Sequence, residues 1–80
     1  MYKNMREELA AIQHDIWAHW MHYLFSVSRQ NPDGSYTIPA DKVERWLRQM
    51  ETGYADLEEA ERDSDREQAD KILEWFVNRT

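Results

Sequence analysis

Eighty residues make one small domain, expected to span 1–80, with room for only a modest core. A net charge of −6, from sixteen acidic and ten basic side chains, argues against general nucleic-acid binding, which needs a basic surface to displace counterions. The chain has no cysteine for a disulfide framework, no apolar run long enough for a membrane span, and a start, Met1 to Glu8, too polar for a signal peptide.

These exclusions lead to the expectation of a soluble, cytoplasmic protein. Four tryptophans, four tyrosines and two phenylalanines offset the short length, because aromatic rings bury large areas per residue.

From about Asn4 to Val27, Met5, Leu9, Ile12, Ile16, Trp20 and Tyr23 or Leu24 recur at steps of three or four. Trp17, Met21 and Phe25 widen that stripe, and no Gly or Pro interrupts it, so one long helix is predicted. Ser26 and Ser28 begin the exit. Asn31-Pro32-Asp33-Gly34 has turn chemistry: Pro presets φ at the second position and Gly follows where the chain reverses. Tyr36-Thr37-Ile38 reads as short and extended, since Ile38 precedes Pro39.

Pro39 suits the first position of a second helix, where its missing N–H costs nothing. Val43, Trp46, Leu47 and Met50 give that helix its stripe, and Gly53 ends it or stands just beyond. A third helix is predicted from about Leu57 to Val77, with Ala69, Ile72, Leu73 and Phe76 as its buried stripe. Three amphipathic helices without a convincing strand pattern predict an all-α, compact three-helix domain with a long first helix. The loop at about 29–38 should pack on its surface.

Walking the third stripe back from Ala69 by threes and fours lands on Asp65 and Arg66, then Arg62. Charges on an inward face are costly unless they are paired or meet a polar ligand. The acids crowded between Glu51 and Asp70 read otherwise as a solvated helix face.

Nothing in the pattern asks for an enzyme: the two glycines are far apart, and no serine or cysteine has a nucleophile's context. Asp15, His19 and His22 share one helical face, but no further ligand is evident, so no metal or other cofactor is expected. The aromatic set Trp17, Trp20, Tyr23, Tyr36, Trp46 and Tyr54 exceeds what so small a core needs. Most of these rings would fill space, yet such rings also line pockets that stack planar ligands. Together with Arg62, Asp65 and Arg66 they suit a nucleotide-like molecule. A ring clamps a base, an arginine holds a phosphate, and a carboxylate takes a ribose hydroxyl or orients the arginine. The structural alternative is an Asp–Arg pair that ties the third helix to the first.

His14-Asp15-Ile16-Trp17-Ala18, then Tyr54-Ala55-Asp56-Leu57, then Glu61, Asp65 and Arg66, resemble the RyR domain. That small helical repeat of ryanodine receptors also occurs alone in bacteria and phages. The resemblance spans Leu9 to Phe76. Gly53 stands where the family usually has proline, Glu58 where Ser or Thr caps the last helix, and the segment 29–50 differs.

The resemblance implies non-catalytic binding of a nucleotide-derived signal, such as a cyclic ADP-ribose-type immune messenger. A phage protein would sequester it in the host cytoplasm as an anti-defence device. By carry-over Trp17, Tyr54, Asp65 and Arg66 line the pocket, with His14 beside them. Spacing adds Arg62, and the divergent middle adds Tyr36 and Trp46. The other reading is a helical protein–protein interaction module without a small-molecule ligand. The first helix's stripe is wide enough for both core and partner, so a homodimer or higher homo-oligomer would help so small a domain.

Overall fold

A helix of 26 residues, α1 (Tyr2–Val27), opens the chain and runs for roughly 39 Å. The computed structural model describes residues 2–79; Met1 and Thr80, the two ends of the expected domain, lie outside the described residues. At the end of α1 the hydroxyls of Ser26 and Ser28 donate back to the carbonyls of Tyr23 and Leu24, each at 2.7 Å. Such bonds compete with the next helical turn and help to end the helix.

An antiparallel hairpin follows, β1 (Arg29–Gln30) against β2 (Tyr36–Thr37), with Arg29 opposite Thr37 and Gln30 opposite Tyr36. No periodicity announces strands of two residues, so the turn between them sets the pairing. The Gly34 N–H donates to the Asn31 carbonyl at 3.0 Å, and the Asn31 N–H donates to the Ser35 carbonyl at 2.7 Å. The Asp33 carboxylate accepts from the Ser35 hydroxyl at 2.6 Å and the Ser35 N–H at 2.9 Å, which holds it below the usual carboxylate range. Gly34 has φ of +92°, a left-handed conformation that a Cβ would strain.

The second helix, α2 (Ala40–Met50), is capped by Pro39 at φ −58° and ψ 144°, one step outside the first helical position expected for it. A short 3-10 turn, Tyr54–Asp56, leads into α3 (Glu59–Arg79). The architecture is therefore all-α, with three helices, a long first one and a loop over 29–38. α3 returns alongside α1, and Arg79 near its end pairs with Glu8 at 2.6 Å while stacking over Trp75 at 4.7 Å.

The apolar stripe of α1 (Met5, Leu9, Ile12, Ile16, Trp20 and Leu24) is half-buried, as its periodicity requires. On α3 the expected buried stripe is corrected: Ala69, Ile72, Leu73 and Phe76 are all exposed, Leu73 by 60% and Phe76 by 50%. The least exposed line runs instead through Glu61, Ser64, Gln68, Lys71 and Trp75, about a quarter-turn around the helix. Among the described residues no apolar side chain is fully buried, and the two buried side chains are Glu61 and Gln68. The three helices lie in a slab of 47 × 34 × 16 Å.

A Cβ at position 34 would meet nothing within 4 Å, so Gly34→Ala tests the backbone alone. Urea unfolding should show a loss of about 1 kcal/mol, and Gly34→Asn a smaller one, because Asn tolerates positive φ.

Candidate functional site

The first turn of α3 carries a carboxylate that reaches in two directions. Glu61 Oε2 accepts from Gln49 Nε2 at 2.5 Å and Arg48 Nη2 at 2.7 Å, and Arg45 Nε stands 3.7 Å away. Arg45, Arg48 and Gln49 converge because i, i+3 and i+4 share one helical face. Glu61 Oε1 accepts the backbone N–H of Glu58 at 3.1 Å. This is the carboxylate half of a capping box, and it serves the helix start although no Ser or Thr stands at position 58. Hydrogen bonds from Gln49 and then Arg48 hold the Glu61 carboxyl down at about 2, while its burial opposes them. Its side chain is only 4% exposed.

Beside this clasp lies an open groove of about 590 Å³. α1 contributes Trp20 and Tyr23, α2 Arg45 and Trp46, and α3 Asp65 and Glu67. The Tyr23 ring centroid is 6.3 Å from both Trp20 and Trp46, at interplanar angles of 86° and 61°. Tyr23 thus meets both tryptophans edge to face, and all three rings line the groove. Among the described residues the carboxylates of Asp65 and Glu67 have no ion-pair or hydrogen-bond partner.

Of the eight residues singled out in the sequence, Trp46 and Asp65 meet in this groove. The other six lie elsewhere. His14 and Trp17 form an exposed pair on α1 with ring centroids 5.6 Å apart. Tyr36 packs against Phe25 at 4.8 Å in the hairpin, and Tyr54 is half-exposed in the 3-10 turn. Arg62 donates to the Ala55 carbonyl at 2.8 Å and to Glu59 at 2.5 Å, which locks the turn onto α3.

Arg66 pairs with Glu59 at 2.6 Å and Asp63 at 2.5 Å, so its ion pairs stay within α3 and reach neither Asp65 nor α1. Glu59 sits below the usual carboxylate range, chiefly through Arg66 and then Arg62. The inward direction expected for Asp65 and Arg66 is corrected: both are exposed, because the Glu61 clasp fixes α3 with another line facing the fold.

The sequence places Trp20 and Tyr23 in its aromatic set and Glu61 in the RyR resemblance, yet none of them is among the eight expected site residues, and Arg45 carries no signal at all. A glutamate three residues after position 58, just inside a helix start, was the available signal for Glu61. Among the described residues no three His, Asp or Glu side chains converge on a metal-sized site, Asp15, His19 and His22 included. No helix among the described residues is long and apolar enough to cross a membrane. No protein-family model, curated protein or solved structure matches the chain.

Because the folded Glu61 carboxyl titrates well below its ordinary 4.5, the unfolded chain binds that proton more tightly. Its stabilising contribution is fully present above about 4.5 and is lost as the pH falls toward about 2. Urea unfolding across that window should show a marked fall for the wild type and a shallower one for Glu61→Gln. Equal slopes would remove Glu61 from the account.

Proposed function

We propose that this chain is a helical protein–protein interaction module that completes its core on a second copy of itself. The observation that carries the proposal is an inverted burial pattern. Large apolar side chains lie open on all three helices, while none among the described residues is fully buried. A chain of this kind has not finished removing its apolar surface from water.

Surface area supports a partner of substantial size. The accessible surface is 6614 Å², against about 5,100 Å² for a folded monomer of 9.7 kDa. The radius of gyration is 16.1 Å, where a closed 80-residue domain has roughly 12 Å. The excess, about 1,500 Å² per chain, falls in the range that obligate homodimers bury.

Geometry supports one particular face. In two antiparallel helices, residues rotated the same way from the contact line project to the same side of the pair. Trp17 of α1 and Ala69, Leu73 and Phe76 of α3 are rotated that way, whereas Glu8, Asp15, Glu74 and Asn78 are rotated the other way. One side of the pair therefore carries an apolar patch of Trp17, Ala69, Leu73 and Phe76, bordered by Asp65 and Arg66 one turn earlier on α3. Two copies apposed on the apolar side make a self-complementary, two-fold interface. The absence of cysteine suits work in a reducing cytoplasm.

The nucleotide-signal reading keeps narrower support. Trp46 and Asp65 share the groove, but Arg62 and Arg66, its expected phosphate holders, are already engaged by Ala55, Glu59 and Asp63.

Sedimentation equilibrium at tens of micromolar chain should return twice the 9.7 kDa chain mass. Leu73→Glu combined with Phe76→Glu should return the single-chain mass. Both side chains are exposed in one protomer, so the exchange costs an isolated protomer little. A wild-type mass of one chain throughout would overturn the proposal.

A further inference from the structure

The groove between α1, α2 and the start of α3 has a chemistry that self-association does not use. Its size lies within the range of small-molecule sites, about 300–1,000 Å³. Its walls are the rings of Trp20, Tyr23 and Trp46, with Tyr23 6.3 Å from each tryptophan and inclined to both. An aromatic ring attracts a cation that lies over its face, and three rings lining one groove give an entering cation several such contacts to choose from.

The charges at the rim select the same sign. The negative charge of Glu61 is answered by Arg48 at 2.7 Å and Arg45 at 3.7 Å. Asp65 and Glu67 also line the groove and have no such answer among the described residues. The charge left over is negative. A phosphate entering here would meet two carboxylates and an arginine already committed to Glu61. A neutral planar ligand would leave both carboxylates unused, whereas a cation uses rings and carboxylates together.

We propose that this groove binds an organic cation, an alkylated ammonium head held against Trp20, Tyr23 and Trp46 with Asp65 as its counter-charge. All four residues belong to one protomer, and Leu73 and Phe76, the residues whose exchange tests self-association, lie two to three turns beyond Asp65 along α3. The site therefore stands or falls separately from self-association.

The test is a tryptophan-fluorescence titration of the full chain with choline, with 3,3-dimethyl-1-butanol as its uncharged isostere, and with ADP-ribose. Choline should saturate, and the isostere should require roughly tenfold more. ADP-ribose should give no saturable change. Asp65→Asn should weaken choline several-fold and leave the isostere unaffected; Asp65 is exposed and unpaired, so this variant should fold.

An acetylated trimethyl-lysine amide distinguishes the source of the head. Binding tighter than choline identifies a protein-borne cation, and weaker binding a free one, and either result supports the cation site. Equal affinity for choline and its isostere, an unchanged Asp65→Asn, or saturation by ADP-ribose alone would each overturn the proposal. The last outcome would restore the nucleotide reading.

Discussion

Glu61 brings a negative charge into the least accessible part of the fold, where donors from two helices converge on it. A carboxylate so enclosed and left unpaired would carry a heavy desolvation cost. Arg48, Gln49 and the Glu58 N–H remove that cost together, and in doing so they fix three things. They set the start of α3, the position of α2 against it, and the rotation of α3 about its own axis. The rotation has the widest consequence. With Glu61 held inward, Ser64, Gln68, Lys71 and Trp75 follow it inward, and Ala69, Leu73 and Phe76 are carried to the open side.

That inward line is an unusual one for a helix to bury. The side-chain oxygen of Gln68 and the indole N–H of Trp75 are enclosed with no hydrogen-bond partner among the described residues, so the seam between α1 and α3 is partly polar. The Arg79–Glu8 pair at the far end is exposed, and such pairs add little. A single protomer thus holds its helices by polar contacts and half-buried rings. In the proposed dimer it is the second copy that supplies the burial which stabilises most small domains. The two ends of the slab differ accordingly: rings and the carboxylates of Asp65 and Glu67 at the α2 end, exposed apolar side chains along the second half of α3.

The helices and the 31–34 turn were legible in the sequence because they depend on local signals. The uninterrupted stripe of α1, the Asn-Pro-Asp-Gly turn and the stripe of α2 need no knowledge of the rest of the chain. What could not be read was which side of α3 faces inward. Periodicity identified Ala69, Ile72, Leu73 and Phe76 as one stripe, and so they are, but periodicity does not say what covers it. The same limit scattered the candidate site. Trp46 and Asp65 come together; Arg62, Arg66 and Tyr54 are set aside by the rotation of α3 and the 3-10 turn, while His14 and Trp17 sit on the exposed face of α1 and Tyr36 in the hairpin. Glu61 stands in the sequence as one residue of the RyR resemblance and as a capping-box position, without a sign of its partners on α2. The arrival of Arg48 and Gln49 from α2 is what the sequence could not show.

The central claim is that the apolar core closes between two copies of the chain. Thermal unfolding followed by circular dichroism over about a hundredfold range of chain concentration tests it most directly, because dimerisation couples folding to mass action. The account predicts a Tm that rises steadily with concentration. A cooperative transition at one Tm across the whole range would contradict it, and would mean that a single protomer is stable with its apolar face in water.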